Sequence, residues 1–316
     1  MATMTTVFLD RGTIPNHITM PNSQWQLFDE THDTEVLARI IDAEVIISNK
    51  VKLQRQHLQH CRHLKLIVIA ATGTNNVDLN YCKQQGIQVS NIQHYADEGV
   101  PEHAIAMLLA LAKKLIPYHQ ATQEGHWQQA KQFCYYQQPI SNLAGKTLAI
   151  IGQGALGQAI AQLAKAFGMQ VIFAERKGAT VIRAGKVKFE DALSQADAVS
   201  LHCPLSQNNA DMFGPLEFAL MKSSAYFINT ARGGLVNETA LVNAVLSNQI
   251  AGAATDVAVT EPLAAGSPLE ALFNADNFII TPHVAWASDE SLHNLVTQID
   301  SIISAHQQGE AINQVT

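Results

Sequence analysis

Short runs of Val, Ile and Leu alternate with longer amphipathic stretches through the first hundred residues. Residues 7–9, 43–48, 64–71 and 87–92 read as strands, being apolar, short and bounded by polar positions. Between them, residues 34–42, 52–61 and 78–85 carry helical spacing, and Gly86 falls where a helix C-cap needs positive φ. Such alternation predicts a parallel sheet covered by helices. Pro101 then opens a helical pattern over 101–115, with the proline in a first turn where its missing N–H costs nothing. This pattern is apolar nearly all round, which predicts burial against another domain or subunit. The Gln- and aromatic-rich stretch 118–141 reads as a connector.

A second array starts at Lys146, with strand candidates at 147–151, 170–174, 198–202, 226–229, 251–255 and 278–281. Six strands with helical material between them predict a doubly wound sheet. A final helix is expected over 289–306. Boundaries near Val100 and Ser288 give a first domain of 1–100 plus 288–316 and a second of 101–287. The C-terminal helix is thus expected to return to the first domain.

After the strand TLAII come Gly152-Gln-Gly154-Ala155-Leu156-Gly157 and a helical run. Alone, G-x-G-x-x-G arises often by chance, but strand, turn, helix and next strand all stand where a dinucleotide-binding turn requires them. Gly152 allows the tight turn, Gly154 the approach of a pyrophosphate, and Gly157 close helix–strand packing. The phosphates meet free N–H groups at the helix start. Glu175 ends the following strand, where a carboxylate accepts hydrogen bonds from the adenosine ribose hydroxyls. A 2′-phosphate would meet its charge, so NAD(H) is expected over NADP(H). Arg176 and Lys177 narrow that margin.

Three later segments fall at strand ends, where open α/β sheets bind ligands. They are INTARGG around Arg232, TDVAVTEP with Asp256 and Glu261, and TPHVAW with His283. Arg232 can hold a carboxylate or carbonyl oxygen in forked geometry. His283 can exchange a proton near neutral pH, and Glu261 can orient its imidazole and favour the charged form. Together they suit redox chemistry on a small carboxylate-bearing substrate.

Composition narrows the classes. With 47% hydrophobic and 15% charged residues over 316 positions, the chain is not an intrinsically disordered one. A net charge of −7 argues against a general nucleic-acid or anionic-membrane binder. No apolar run approaches a membrane span. The N-terminus lacks a basic start and apolar signal core, and four scattered cysteines suit a reducing compartment, so a cytoplasmic protein is expected. The thiols of Cys134 and Cys203 have no sequence-visible base beyond His202 and read as structural. His57, His60, Cys61 and His63 cluster, but no second Cys/His pair completes a metal site, and a solvated face is expected.

ATGTNNVD (71–78), VPEHA (100–104), GQGALG, INTARGG, AATDVAVTEP and TPHVAWAS together make the chain resemble the D-isomer-specific 2-hydroxyacid dehydrogenase family over essentially its whole length. The stretch KQFCYYQQPI with TPHVAWAS is most similar to its glycerate dehydrogenase (hydroxypyruvate reductase) members. The resemblance implies an α/β fold of two Rossmann-like domains flanking a cleft: an NAD-binding domain inserted in a flavodoxin-like substrate domain. It implies that Arg232, Glu261 and His283 are catalytic, that Asp256 contacts the nicotinamide carboxamide, and that Thr72-Gly73 offer backbone N–H groups to the substrate carboxylate. Ala155, Leu156, Cys203, Pro204, Thr230 and Ala231 complete the expected set of cofactor contacts. The expected activity is NAD-dependent interconversion of a small 2-oxo acid and its D-2-hydroxy acid, with hydroxypyruvate and glyoxylate foremost, in a homodimer. A dinucleotide-sensing, corepressor-like protein without turnover, or a dehydrogenase of other substrate preference, is the alternative. The family's usual aspartate is Glu175 here, and its Val-Ala-Glu-His is Val-Pro-Glu-His at 100–103.

Overall fold

The alternating first part of the chain forms β1 (Thr6–Phe8), β2 (Gln26–Leu27), α1 (Asp33–Ile40), β3 (Val45–Ser48), α2 (Arg55–Leu58), β4 (Leu66–Ile69), α3 (Leu79–Gln85) and β5 (Gln88–Asn91) in the computed structural model, which describes residues 4–316. All five strands are parallel, in the order β2-β1-β3-β4-β5. This is the flavodoxin-like order. The central strands β3 and β4 are buried along their whole length on both faces, which is why they read as hydrophobic runs. Gly86 caps α3 at φ 70°. The helix expected over 52–61 shrinks to the single turn of α2, because Leu53 is drawn out to bridge Val77.

The remainder of the chain forms α4 (Gly99–Lys113), α5 (Leu115–Gln123), β6 (Thr147–Ile151), α6 (Ala155–Ala166), β7 (Gln170–Ala174), β8 (Lys186–Val187), α7 (Phe189–Gln195), β9 (Ala198–Leu201), α8 (Pro215–Leu220), β10 (Tyr226–Asn229), α9 (Glu238–Leu246), β11 (Gly252–Thr255), β12 (Phe278–Ile280) and α10 (Asp289–Gln307). The seven strands are parallel in the order β12-β11-β10-β9-β6-β7-β8. Counted from β6, this is the Rossmann order with one strand added, and the order reverses between β6 and β9. The chain divides into two compact units: residues up to Ala96 with Ala287–Thr316, and Asp97–Trp286. Helix α10 therefore belongs to the first unit, where it packs on β4 and Gln298 exchanges hydrogen bonds with the backbone of Gln93.

Period-2 alternation sorts the second sheet's residues onto two cores. Leu148, Ile150, Ala198 and Ile228 face α4 and α6, while Ala149, Ile151, Val199 and Phe227 face α7, α8 and α9. Phe213 sits inside the second core with ring centroids of Phe227, Phe189 and Phe218 at 4.9, 5.7 and 5.9 Å.

The apolar girth of α4 finds its partner within its own unit. Ala104, Ile105, Met107, Leu108, Leu111 and Ala112 are buried against α6 and strands β10 to β12, so these side chains are covered by the unit's own elements. Its end also differs from the expected continuous helix. Lys114 turns left-handed at φ 53°, and α5 starts anew at Leu115 and runs into the stretch expected to be a connector. Pro117 supplies the reason: it has no N–H for the carbonyl of residue 113, and its ring would clash with that carbonyl in a continuous helix. The two short strands β2 and β8 carry too few residues to show any period in sequence.

Candidate active site

The carboxyl ends of β6, β9, β10, β11 and β12 carry the residues of interest, each for a local reason. After β6, Gly152 takes φ 111°, and a Cβ there would lie 2.3 Å from the carbonyl oxygen of His202, so only glycine lets the turn pass the end of β9. A Cβ on Gly157 would lie 2.1 Å from the Gly152 carbonyl oxygen, so helix α6 can approach its strand only through a glycine. Nothing lies within 4 Å of the Cβ that Gly154 lacks. Gly154 is the N-cap of α6; with Ala155 it is exposed, and Leu156 is half-buried. The first-turn N–H groups of α6 have no intrahelical acceptor, so an open glycine here is a cradle for a pyrophosphate.

His202 and Thr230 follow β9 and β10 side by side. The imidazole of His202 is buried, pairs through Nε2 with Ser200 Oγ at 2.8 Å, and leaves Nδ1 without a partner. Thr230 Oγ1 is likewise buried and unpartnered. Unsatisfied buried polar atoms are costly, and a hydroxyl of this kind at the switch point is what a bound dinucleotide would satisfy. Cys203 is half-buried, with its thiol pushed up by burial, and Pro204 is exposed. Ala231 is buried and its N–H donates to Asn229 Oδ1 at 3.0 Å. With the open Gly154 turn, these residues fit NAD.

Burial pushes the His202 imidazole down to about 4. The unfolded chain binds a proton near pH 6.5 that the folded chain refuses until about pH 4, so stability should fall as pH drops through that window. The loss attributable to this one group approaches about 3 kcal/mol at 1.36 kcal/mol per unit. Urea melts at pH 7 and 4.5 should show His202→Gln losing less stability than wild type; equal losses would refute the assignment.

Glu175 follows β7 and is 2% exposed. Its carboxylate is held well below the ordinary range, foremost by the Arg183 side chain and then by backbone N–H groups. Lys177 does not reach it, being bonded to Glu217 at 2.7 Å and to the Met212 carbonyl at 2.9 Å.

His283 adopts φ 55° in the turn after β12. This left-handed region is uncommon for a residue with a side chain and marks strain stored at functional turns. Asp256, 1% exposed at the end of β11, holds the turn: Oδ1 accepts from Thr281 Oγ1 at 2.5 Å and Val284 N at 2.9 Å, and Oδ2 from Ala285 N at 2.9 Å. His103 on α4 pairs with Thr281 Oγ1 at 3.0 Å and lies 3.8 Å from Asp256. Trp286 Nε1 donates to the His283 carbonyl at 2.8 Å. So fixed, the His283 ring meets Glu261, with Nδ1 to Oε2 at 2.7 Å. Glu261 is fastened in turn by the Ala258 N–H, 3.0 Å from Oε1.

Arg232 is exposed after β10, with Nη1 donating to the Ala231 carbonyl at 2.6 Å. Its turn and that of Glu261 are packed together through Gly233, whose missing Cβ would lie 2.0 Å from the Ala258 carbonyl carbon. Thr72 and Gly73 lie in the first unit, in the loop after β4, where Thr72 Oγ1 donates to the Ile92 carbonyl and Asn91 Nδ2 to the Thr72 carbonyl. The sequence reading passed over Arg183, His103 and the turn-holding bonds of Asp256. Among the described residues no group of three or more His, Cys, Asp or Glu is placed to hold a metal, and no helix is long and apolar enough to cross a membrane.

A Rossmann sheet with an open glycine turn and an acid–histidine pair at its strand ends defines a nicotinamide-dependent dehydrogenase. The model of the D-isomer specific 2-hydroxyacid dehydrogenase NAD binding domain matches residues 105–285. The chain is 40% identical to glycerate dehydrogenase of Methylorubrum extorquens over 98% of both chains. It is 34% identical to hydroxypyruvate reductase of Blautia hydrogenotrophica over 92% of this chain and 91% of that one. D-lactate dehydrogenase of Aquifex aeolicus, solved with NAD and lactic acid, superposes with a TM-score of 0.80 at 28% identity over 96% of each chain. The chain belongs to the D-isomer specific 2-hydroxyacid dehydrogenase family. It is an NAD-dependent oxidoreductase that interconverts 2-oxo acids and D-2-hydroxy acids.

Proposed function

We propose that the chain reduces hydroxypyruvate to D-glycerate, with glyoxylate as second substrate, and that His283 is the proton donor. The observation that carries the reading is the 2.7 Å pair of His283 with Glu261 on a turn locked by Asp256. Bound NADH supplies the hydride. With Nδ1 committed to Glu261, His283 presents Nε2 and its proton to the carbonyl oxygen. Glu261 fixes the ring's orientation and stabilises the imidazolium by its charge. Arg232, with one of its donors on Ala231, keeps the rest of its fork for the carbonyl or carboxylate oxygens. Asp256 has three of about four acceptor positions filled, leaving one on Oδ2 for a carboxamide N–H.

The choice of substrate rests on the two relatives named glycerate dehydrogenase and hydroxypyruvate reductase. A site built to bond the extra hydroxyl rejects analogues lacking it far better than an apolar pocket can. Steady-state NADH oxidation over a panel of 2-oxo acids tests this. Hydroxypyruvate should show the highest kcat/KM, and a much higher value for pyruvate or a branched 2-oxo acid would overturn the substrate. Absence of turnover with every acid would favour the sensing role instead.

The working unit in this reading is a homodimer acting in the cytoplasm. Exposed Leu115, Ile116, Trp127, Phe133 and Tyr136, rather than α4, are the apolar surface in need of cover. Four free cysteines suit a reducing compartment. Light scattering on the active samples should give the mass of two chains.

A further inference from the structure

The acid expected to receive the adenosine ribose is already taken. Glu175 Oε1 accepts from the Arg176 N–H at 2.8 Å and from Arg183 Nη2, while Oε2 accepts from Arg183 Nε at 2.7 Å and the Arg183 N–H at 3.2 Å. A carboxylate offers about four acceptor positions, and here all four are filled. Two of the four donors are the guanidinium of a side chain that is 55% exposed. Arg183 arrives from the loop between β7 and β8, eight residues beyond the acid it covers.

The surrounding charge is lopsided. Between Glu175 and Glu190 the chain carries Arg176, Lys177, Arg183, Lys186 and Lys188 and no acid, in a protein whose net charge is −7. Lys177 is spent on Glu217 and Lys188 lies 3.5 Å from Glu190, so Arg183 is the cation directly bound to the ribose acid.

We propose that Arg183 is a specificity-determining residue for the adenosine ribose and that it gives this dehydrogenase the capacity to bind NADP(H) as well as NAD(H). A bare carboxylate discriminates against a 2′-phosphate by like-charge repulsion. Here the repulsion is offset by a guanidinium that never loses its charge and is matched in geometry to phosphate. When NADH binds, its ribose hydroxyls take acceptor positions on Glu175 and the fork swings out towards solvent. When NADPH binds, the fork turns to the 2′-phosphate, leaving Glu175 on its two backbone N–H donors. The exposed guanidinium thus serves either cofactor from one loop, and the acid cannot exclude the phosphate while Arg183 is present.

This rests on the NAD-binding role of the β6–α6 turn, and its test reads binding rather than turnover. Calorimetric titration of the full chain with NADH and NADPH should give wild-type dissociation constants within about tenfold of each other. The fragment probes AMP and adenosine 2′,5′-bisphosphate should repeat the pattern at the ribose end alone. Arg183→Ala should raise the NADPH-to-NADH ratio of dissociation constants at least tenfold, by weakening NADPH and freeing Glu175 for the ribose of NADH. Arg183→Lys, which keeps the charge without the fork, should fall between. A wild-type ratio above one hundred overturns the proposal, and so does a ratio that Arg183→Ala leaves unmoved, including one in which both cofactors weaken equally through a disordered loop. Reduction of hydroxypyruvate by the same wild-type sample tests the substrate reading separately, so either can fail while the other stands.

Discussion

Replacing His283 by alanine should lower kcat for 2-oxo acid reduction about 10²- to 10⁴-fold, the usual worth of a positioned general acid. The expectation follows from what the structure invests in this one ring. Its backbone sits at φ 55°, a conformation sustained by three hydrogen bonds to Asp256 and one from Trp286. Strain of this kind persists only where surrounding contacts over-determine it. Those contacts aim Nδ1 at Glu261. Because the imidazole stands apart from the β6–α6 turn in sequence and its proposed role is at the carbonyl oxygen, calorimetric NADH affinity should change only a few-fold in the variant. Glu261→Gln keeps an oxygen for the ring but removes the charge that favours imidazolium, so its kcat should lie between those of wild type and His283→Ala. Stopped-flow reduction under single-turnover conditions separates loss of chemistry from slow product release. A wild-type chemical rate in His283→Ala would remove the histidine from the mechanism.

The sheet architecture was legible because parallel strands buried on both faces appear as apolar runs separated by helical spacing, as in TLAII and YFIN. The glycine turn was legible because two of its three glycines answer separate steric demands, visible as atoms 2.3 and 2.1 Å from absent Cβ positions at Gly152 and Gly157, while Gly154 keeps the turn open. What escaped reading depends on the path of loops, which no period records. Arg176 and Lys177 stand next to Glu175 in sequence, yet Arg183 carries the fork, because the chain turns back over residues 176–185 and Lys177 is drawn off to Glu217. Asp256 reads as a strand-end acid facing a ligand, but two of its three donors are N–H groups of residues 284 and 285, which the β11–β12 pairing brings near. Helix α4 illustrates a related point. An all-round apolar helix announces burial without saying against what, and here the answer is the unit's own sheet and α6.

Two neighbouring glycines should respond to alanine to very different extents, although sequence gives no reason to separate them. At Gly233 the added Cβ would lie 2.0 Å from the Ala258 carbonyl carbon, 2.1 Å from its oxygen and 2.4 Å from Val259 N. These are backbone atoms and cannot rotate away, so the 258–259 segment must move as a body. That segment holds Glu261, the proposed partner of His283, in register: Ala258 N–H anchors it at 3.0 Å, and Val259 N–H bonds Glu238 at 2.8 Å. Overpacking of this sort costs typically 1–3 kcal/mol of stability and occasionally more. The larger effect should fall on chemistry, since a displacement of about 1 Å in a positioned catalytic group can cost roughly 10²-fold. At Gly234 the added Cβ would meet Leu205 Cδ2 at 2.9 Å, the far end of a half-exposed side chain that can change rotamer. Gly234→Ala should therefore keep kcat within a few-fold of wild type and stability within about 1 kcal/mol. Both variants can be read by thermal melts and by kcat for hydroxypyruvate at saturating NADH. If Gly233→Ala retains full kcat, the close approach of the Arg232 and Glu261 turns is not what sets the histidine's partner in place.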